Sequence, residues 1–301
     1  MTLIPILAHV ILPIFVLIGI GFALDRLLRL DLPTLSKLNF YAFVPALIFI
    51  KILDTDLAGA TMGWIAFFCL VHTAILYVAA CVVFSHGAMK SSRTVLSLSA
   101  IFNNCGNYGI PLVVFAFGDE YIGPLAVVII FQNLLSFTFG VWLLERESRA
   151  RLPVILRLLR IPSVIVVVIA LAMRWRHVAM AEEIRRPLDY LAQGLVPVAL
   201  LTLGAQLSRS ALLPRLAPIS AVTVARLVVS PALAAALAPL FGFSGALAGL
   251  LVVTAGLPVA VNVYILAAEY GRDEELASQA VFWTTLLSAA SVSILLLVYQ
   301  P

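Results

Sequence analysis

Charge is what this sequence has least of: 11% of its 301 residues are Asp, Glu, Lys or Arg, against 63% that are hydrophobic. Soluble domains carry about 25% charged residues, which places the chain outside that class. A soluble all-helical protein with an oversized core would still need polar helix faces recurring every 3.6 residues, and most segments here have none. Cysteine is nearly absent as well. Cys69, Cys81 and Cys105 all stand in apolar stretches, which excludes a disulfide framework. Also missing are G-x-S-x-G, H-E-x-x-H, C-x-x-C and paired intramembrane aspartates, the minimal chemistry of hydrolases and metalloproteases, so neither enzyme activity nor a cofactor or metal is expected. No Gly/Ser- or Pro-rich linker separates soluble domains. The net charge of +4 does not point to nucleic acid, because basic residues in such chains mostly report membrane topology.

What is present is a series of apolar runs of about 20 residues, each long enough to cross roughly 30 Å of hydrocarbon. They fall near 4–24, 34–53, 62–84, 94–117, 121–144, 154–173, 188–207, 217–240, 245–270 and 275–299. The sequence therefore predicts an all-α polytopic membrane protein with ten spans. The first run lacks the basic flank and cleavage site of a signal peptide and is read as a retained span. Odd-numbered loops and their flanks hold 13 of the 19 Lys and Arg residues: Arg26, Arg29, Lys37, Lys90, Arg93, Arg146, Arg149, Arg151, Arg157, Arg160, Arg209, Arg215 and Arg272. Even-numbered loops hold Lys51, Arg174, Arg176, Arg185 and Arg186. This bias predicts odd loops in the cytoplasm of a bacterial inner membrane and both termini outside.

The two halves echo each other. Val44-Pro45-Ala46-Leu47 matches Val196-Pro197-Val198-Ala199-Leu200, and Gln132-Asn133 in span 5 stands where Thr284-Thr285 stands in span 10. A unit of five spans is odd, so its second copy enters the membrane from the opposite side. Inverted repeats of this kind are found mainly in secondary transporters, whose sites lie near the midplane between discontinuous helices. The expected repeats cover about 1–145 and 153–301.

Span 4 carries Asn103, Asn104, Gly106, Asn107, Gly109 and Pro111 near its centre, and span 9 carries Gly256, Pro258 and Asn262. Proline lacks an amide hydrogen and clashes with the preceding turn, so both helices are expected to unwind there. A single proline would read as a repaired kink; breaks at nearly equivalent places in both halves point to a transport site.

The stretch Asn103-Asn104-Cys105-Gly106-Asn107-Tyr108-Gly109-Ile110-Pro111-Leu112 resembles the span-4 motif of auxin efflux carrier family transporters. Phe40 to Phe49 around Pro45, Leu203-Gly204-Ala205, Arg226 with Pro231, and Thr285 to Ser288 are also similar to that family, so the resemblance covers essentially the whole chain. The short stretch from Glu145 to Pro153 resembles the compact bacterial type rather than plant PIN proteins with their long central loop. The resemblance implies two inverted five-helix repeats with crossover helices 4 and 9. It further implies a scaffold of helices 1, 2, 6 and 7 and a transport unit of helices 3–5 and 8–10. The implied activity is efflux or exchange of small organic anions, such as malonate, malate or auxin-like carboxylates, by an elevator-type mechanism, with a homodimer through the scaffold helices as the implied assembly. The motif's Asn and Pro positions carry onto Asn107 and Pro111, and onto Pro258 and Asn262. Asn104 and Cys105 depart from the commoner Thr and Gly.

Among other polar residues, Asn103, Asn104, Tyr108, Gln132, Asn133, Thr284 and Thr285 are candidates to line the substrate site. Each also has the alternative role of an interhelical hydrogen bond. Arg226 lies deep in span 8, where a bare charge is costly; it either steers the anion or caps carbonyls of a broken helix. Glu269 reads as a helix end near water and His72 as structural. Without an acidic relay at mid-membrane, obligatory proton coupling is not expected. A sodium-coupled symporter of the bile acid transporter type and an anion channel stay open as alternatives.

Overall fold

In hydrocarbon every backbone N–H and C=O must be bonded within its own segment, so apolar runs of this length fold as helices. The computed structural model describes residues 2–54, 59–145, 162–176, 178, 180–210 and 213–299. Among them, seven helices are long and apolar enough to cross a membrane: α1 (Leu3–Leu28), α2 (Leu32–Asp54), α3 (Gly59–Val83), α6 (Asp119–Leu144), α8 (Glu182–Ser208), α9 (Leu216–Phe241) and α12 (Glu274–Tyr299). Shorter pieces complete the chain: α4 (Arg93–Ile101), α5 (Cys105–Ala116), α7 (Pro162–Trp175), α10 (Gly245–Ala255) and α11 (Val261–Glu269). The apolar runs at 94–117 and 245–270, each expected to unwind near its centre, are each two half-helices with a non-helical joint between them. The start of the sixth expected span, 154–161, and the central stretch with Arg146, Arg149, Arg151, Arg157 and Arg160 lie outside the described residues.

The order of pieces repeats. A helix of 25 or 26 residues is followed by two short ones and then by a 26-residue helix, once as α3 to α6 and again as α9 to α12. Helix α1 lies along α8, and α2 packs on α7 and α8; α3 packs on α4 and α6, and α12 packs on α9, α10 and α11. The helix faces follow composition. On α1, Leu12, Val16 and Ile20 point outward toward lipid at a spacing of four, while Ile14, Ile18 and Gly21 turn inward.

Polar contacts sort the helix ends into two faces. On one, Asp25 at the end of α1 is 4% exposed and receives Arg209 Nη2 at 2.6 Å and Nε at 3.1 Å. On the same side Arg215 pairs with Asp273 at 2.5 Å, Ser92 donates to Asp273, and Arg272 reaches the Leu144 carbonyl at 3.3 Å. On the other, Lys51 pairs with Asp119 at 3.1 Å and Arg185 with Asp54 at 2.6 Å. Odd-numbered loops thus contact odd ones and even-numbered loops contact even ones.

Backbone contact between α1 and α8 depends on two glycines. A Cβ on Gly21 would sit 2.1 Å from the Leu201 carbonyl oxygen, and one on Gly204 would sit 1.9 Å from that of Ile18. With no hydrophobic drive between helices in lipid, such close approach is what holds them. Because backbone atoms cannot rotate away, Gly204→Val is expected to separate the two helices, with a loss above the ~1–3 kcal/mol usual for overpacking. Gly19→Ala, which meets nothing within 4 Å, should be neutral or slightly stabilising. Thermal unfolding of the two purified variants checks this; equal melting temperatures would contradict the packing argument.

Candidate functional site

The site grows from the two joints. Helix α4 ends at Ile101, Phe102 and Asn103 run extended, and Asn104 (φ −84°, ψ 57°) leads into a wide π-type turn, Cys105–Gly109, that opens α5. Helix α10 ends at Ala255, and Gly256 to Ala260 link it to α11. The two extended stretches lie antiparallel. Asn104 N donates to the Pro258 carbonyl at 2.8 Å, Ala260 N donates to the Phe102 carbonyl at 3.0 Å, and Asn103 faces Val259. Asn103 Nδ2 donates to the Thr254 carbonyl at 2.9 Å, and Val259 N donates to Thr284 Oγ1 at 3.0 Å. Each break therefore supplies the hydrogen-bond partners that the other lost.

Position in the first joint differs from the sequence expectation. Pro111 does not sit in the unwound stretch but in the first turn of the regular α-helical part of α5, where the missing amide falls near a helix start and the preceding π turn leaves room for the ring. The extended residues are Phe102 and Asn103. Pro258 does lie within its joint, and its carbonyl takes the Asn104 amide.

Arg226 is 0% exposed and sits in a π-type turn of α9, Ala225–Val229. Its guanidinium donates to three carbonyls: Ala100 at 2.6 Å, Leu257 at 3.2 Å, and Ala255. Ala100 and Ala255 are in the last turns of α4 and α10, the partially negative ends of the half-helices. Ser230 Oγ also donates to the Ala255 carbonyl at 2.8 Å, and His72 Nε2 lies 3.0 Å from the Ser230 carbonyl. Of the two roles open to Arg226, its bonding is that of a carbonyl cap.

The opposite, amide-bearing ends of the breaks face a cavity of about 490 Å³. Cys105, Gly106 and Asn107 at the start of α5 line one part, and Ala260, Val261 and Asn262 at the start of α11 line another. No side chain caps either start. Asn103, Asn104, Gln132 and Asn133 complete the transmembrane polar wall. Several of these polar groups are buried without a hydrogen-bond partner among the described residues: Asn103 Oδ1, Asn104 Nδ2 and Gln132 Oε1. Leaving such groups unmet costs roughly 1–3 kcal/mol each, so a ligand or water is the natural partner.

Six of the candidates from sequence thus meet around one cavity, and six do not line it. Tyr108 is fully buried, its hydroxyl accepting from Ser288 at 3.1 Å and its ring edge-on to Phe15. Thr284 holds the second joint, Thr285 is buried beside it, and Pro111, Pro258 and Arg226 support the joints from outside the cavity.

The opposite wall comes from residues that were not in the candidate set. Ser36, Lys37, Asn39, Phe40 and Tyr41 from the start of α2 line it, with Gln206 from α8. Asn39 Nδ2 donates to Thr202 Oγ1 at 3.2 Å, leaving its Oδ1 unpartnered, and Gln206 Nε2 reaches Ser36 Oγ at 3.4 Å. Phe40 packs edge-on to Phe137 at 5.7 Å and forms an apolar wall. Lys37 and Glu269 stand at the rim on the side of the odd-numbered loops, so the cavity opens toward that face. A signal for this wall existed in the polar residues Ser36, Lys37 and Asn39 at the head of an apolar span; their register toward span 4 did not show in the sequence.

A family model described as "Membrane transport protein" matches residues 6–153 and 147–296, which together cover nearly the whole chain. Over 95% of this chain and 93% of the relative, the sequence is 28% identical to a Rhizobium meliloti protein named "Putative malonate transporter". It is 25% identical to an uncharacterized transporter of Methanothermobacter thermautotrophicus, over 94% of this chain and 95% of that protein. An uncharacterized transporter of Methanocaldococcus jannaschii is 23% identical over 97% of this chain and 98% of that protein. With two matches to one family model, relatives that are transporters rather than enzymes, and seven membrane-length helices, the chain belongs to the auxin efflux carrier family of multi-pass membrane transport proteins.

Proposed function

We propose that this protein is a secondary transporter of small organic anions, with dicarboxylates of the malonate class as the leading substrates. One observation carries the reading: the uncapped amide ends of two half-helices and a set of unpartnered carboxamides converge on one cavity, while the carbonyl ends are already bonded by Arg226. Helix N-termini favour anions, and carboxylates suit clustered N–H donors. The cavity falls in the range of about 300–1,000 Å³ typical of small-molecule sites. The name of the Rhizobium relative supports malonate as the first compound to test.

In this reading the chain crosses the membrane ten times as two inverted five-helix repeats, with the joints of α4/α5 and α10/α11 forming the crossover. The like-with-like pairing of odd and even loops and the repeated order of helices support that topology. Helices α1, α2, α7 and α8 are the scaffold, and the remainder carries substrate past it. The basic bias of odd loops supports a cytoplasmic cavity mouth, and on that orientation the conformation described is inward-open. Among the described residues lining the cavity, Lys37 is the basic side chain at the mouth and draws anions in. Sodium coordinated by carbonyls at the joints is disfavoured, because Ala100, Ala255 and Leu257 already accept from Arg226.

Counterflow of radiolabelled malonate in proteoliposomes tests this. Saturable, trans-stimulated and sodium-independent uptake is expected, and unsaturable single-channel currents would overturn the carrier reading. Asn104→Leu and Asn107→Ala should each abolish malonate-dependent thermal stabilisation of purified protein while leaving its apo melting temperature within a few degrees. Lys37→Gln should raise KM about tenfold with little change in maximal rate, the result expected when ~1.4 kcal/mol of attraction is lost from uniform binding. Arg226→Met leaves the buried carbonyls of Ala100 and Leu257 unmet at roughly 1–3 kcal/mol each, while Ala255 keeps its bond from Ser230, so it should lower the melting temperature even without substrate. Arg226→Met with full stability and reduced affinity would instead assign the guanidinium to the substrate.

A further inference from the structure

A second cavity, about 440 Å³, lies on the face of the odd-numbered loops and away from the crossover. Lys90 and Arg93 border it at the start of α4, and Arg272 borders it from the loop after α11. Lys90 and Arg93 enter no ion pair among the described residues, and both are exposed. Asp273 also lines this cavity. Partial burial works against its charge, but bonds from Arg215 and Ser92 hold its carboxyl below the usual carboxylate range, so it stays ionised and matched by Arg215. The remaining balance is basic.

Two further features point to a ligand. No side chain caps the N-terminus of α4, which follows a 3-10 turn (Gly87–Ser92) and borders the cavity; the Arg93 amide already donates to the Lys90 carbonyl, so the helix start contributes its partial positive charge. Ser97, one turn further in, lines the same cavity at 2% exposure, and its hydroxyl has no hydrogen-bond partner among the described residues. A buried hydroxyl inside a basic pocket at a helix start is suited to the oxygens of a phosphate group.

The cavity does not end in water alone. An adjoining groove shares Tyr77, Cys81 and Arg93 with it and continues along α3 past Val78 and Val82. Each of these valines is 62% exposed, one turn apart on the outward side of a membrane helix. A basic, hydroxyl-lined pocket thus opens onto an apolar strip at the depth where helix ends meet the headgroups. Basic pockets between helix ends on the cytoplasmic side are suited to anionic lipid headgroups.

We infer that this pocket binds the phosphate of an anionic phospholipid, with Lys90, Arg93 and Ser97 on the headgroup and Val78 and Val82 along an acyl chain. The site is separate from the transport cavity and does not depend on which anion is carried. Lipid bound there would tie the α3 to α4 corner to one leaflet.

The test is thermal unfolding of purified full-length protein in neutral detergent doped with phosphatidylglycerol or phosphatidylcholine, with inorganic phosphate as a third arm. Phosphatidylglycerol should raise the melting temperature and phosphatidylcholine should not. That gain should shrink as salt shortens the screening length from about 10 Å at 0.1 M to about 3 Å at 1 M. Lys90→Gln/Arg93→Gln should lose most of the gain and Ser97→Ala part of it, while Arg26→Gln, on the same face but outside the pocket, should keep it. An equal gain in the double variant and the wild type, or with both lipids, overturns the inference. Inorganic phosphate alone reproducing the full gain overturns the lipid assignment in favour of a soluble anion. Should the double variant fail to fold, native mass spectrometry decides: the wild type should retain phosphatidylglycerol over phosphatidylcholine and Ser97→Ala should not, and equal retention by the two proteins overturns the site.

Discussion

A membrane helix that stops halfway leaves backbone amides on one side of the break and carbonyls on the other, with no water at that depth to satisfy them. The rest of this structure is arranged around two such stops. The joints answer each other through the Asn104 to Pro258 and Ala260 to Phe102 bonds, and Thr284 closes a further amide. The carbonyl ends receive Arg226 from a third helix. What faces the cavity is the uncapped amide starts of α5 and α11, with the Asn104 carboxamide NH2 as a further donor and the Asn103 and Gln132 carboxamide oxygens as acceptors beside them.

This division explains why an arginine can be fully buried without a carboxylate beside it. Two carbonyl oxygens at helix C-termini and a third in the joint present partial negative charge to a planar group that has five donors in fixed directions. The same contact removes the carbonyl ends as places for a cation. The proposed anion preference therefore rests on which ends are capped. It does not need a net positive cavity, and the rim in fact carries one lysine and one glutamate.

Much of the membrane architecture was legible in sequence because hydrophobic length is set by bilayer thickness, and because Gly, Pro and Asn clustered inside an apolar run mark a helix that breaks. Asn103, Asn104, Asn107 and Asn262 could be named from that alone. The first joint lies upstream of the proline, since Pro111 marks a helix that restarts and the extended backbone falls on Phe102 and Asn103. The Lys37 and Asn39 wall was missed for a different reason. Those residues lie 60 or more positions from the motif, and only the packing of α2 against α6 and α8 brings them to it. Arg226 was visible as an anomaly, but its partners are backbone atoms, which no side-chain pattern reveals.

Where rigid and compliant parts fall follows from the same chemistry. Gly21 and Gly204 bring the backbones of α1 and α8 into direct contact, and Asp25 with Arg209 ties their ends, so that pair has little freedom to slide. The paired joints are equally bound within themselves, through backbone bonds and Arg226. Across the cavity, Phe40 of α2 meets Phe137 of α6 edge-on, and at the far end of the same two helices Lys51 pairs with Asp119 at 3.1 Å. In the proposed sliding of the joints past α1, α2, α7 and α8, ring packing at 5.7 Å has no hydrogen bond to break, and the half-exposed Lys51–Asp119 pair is the polar contact between α2 and α6 that would have to open.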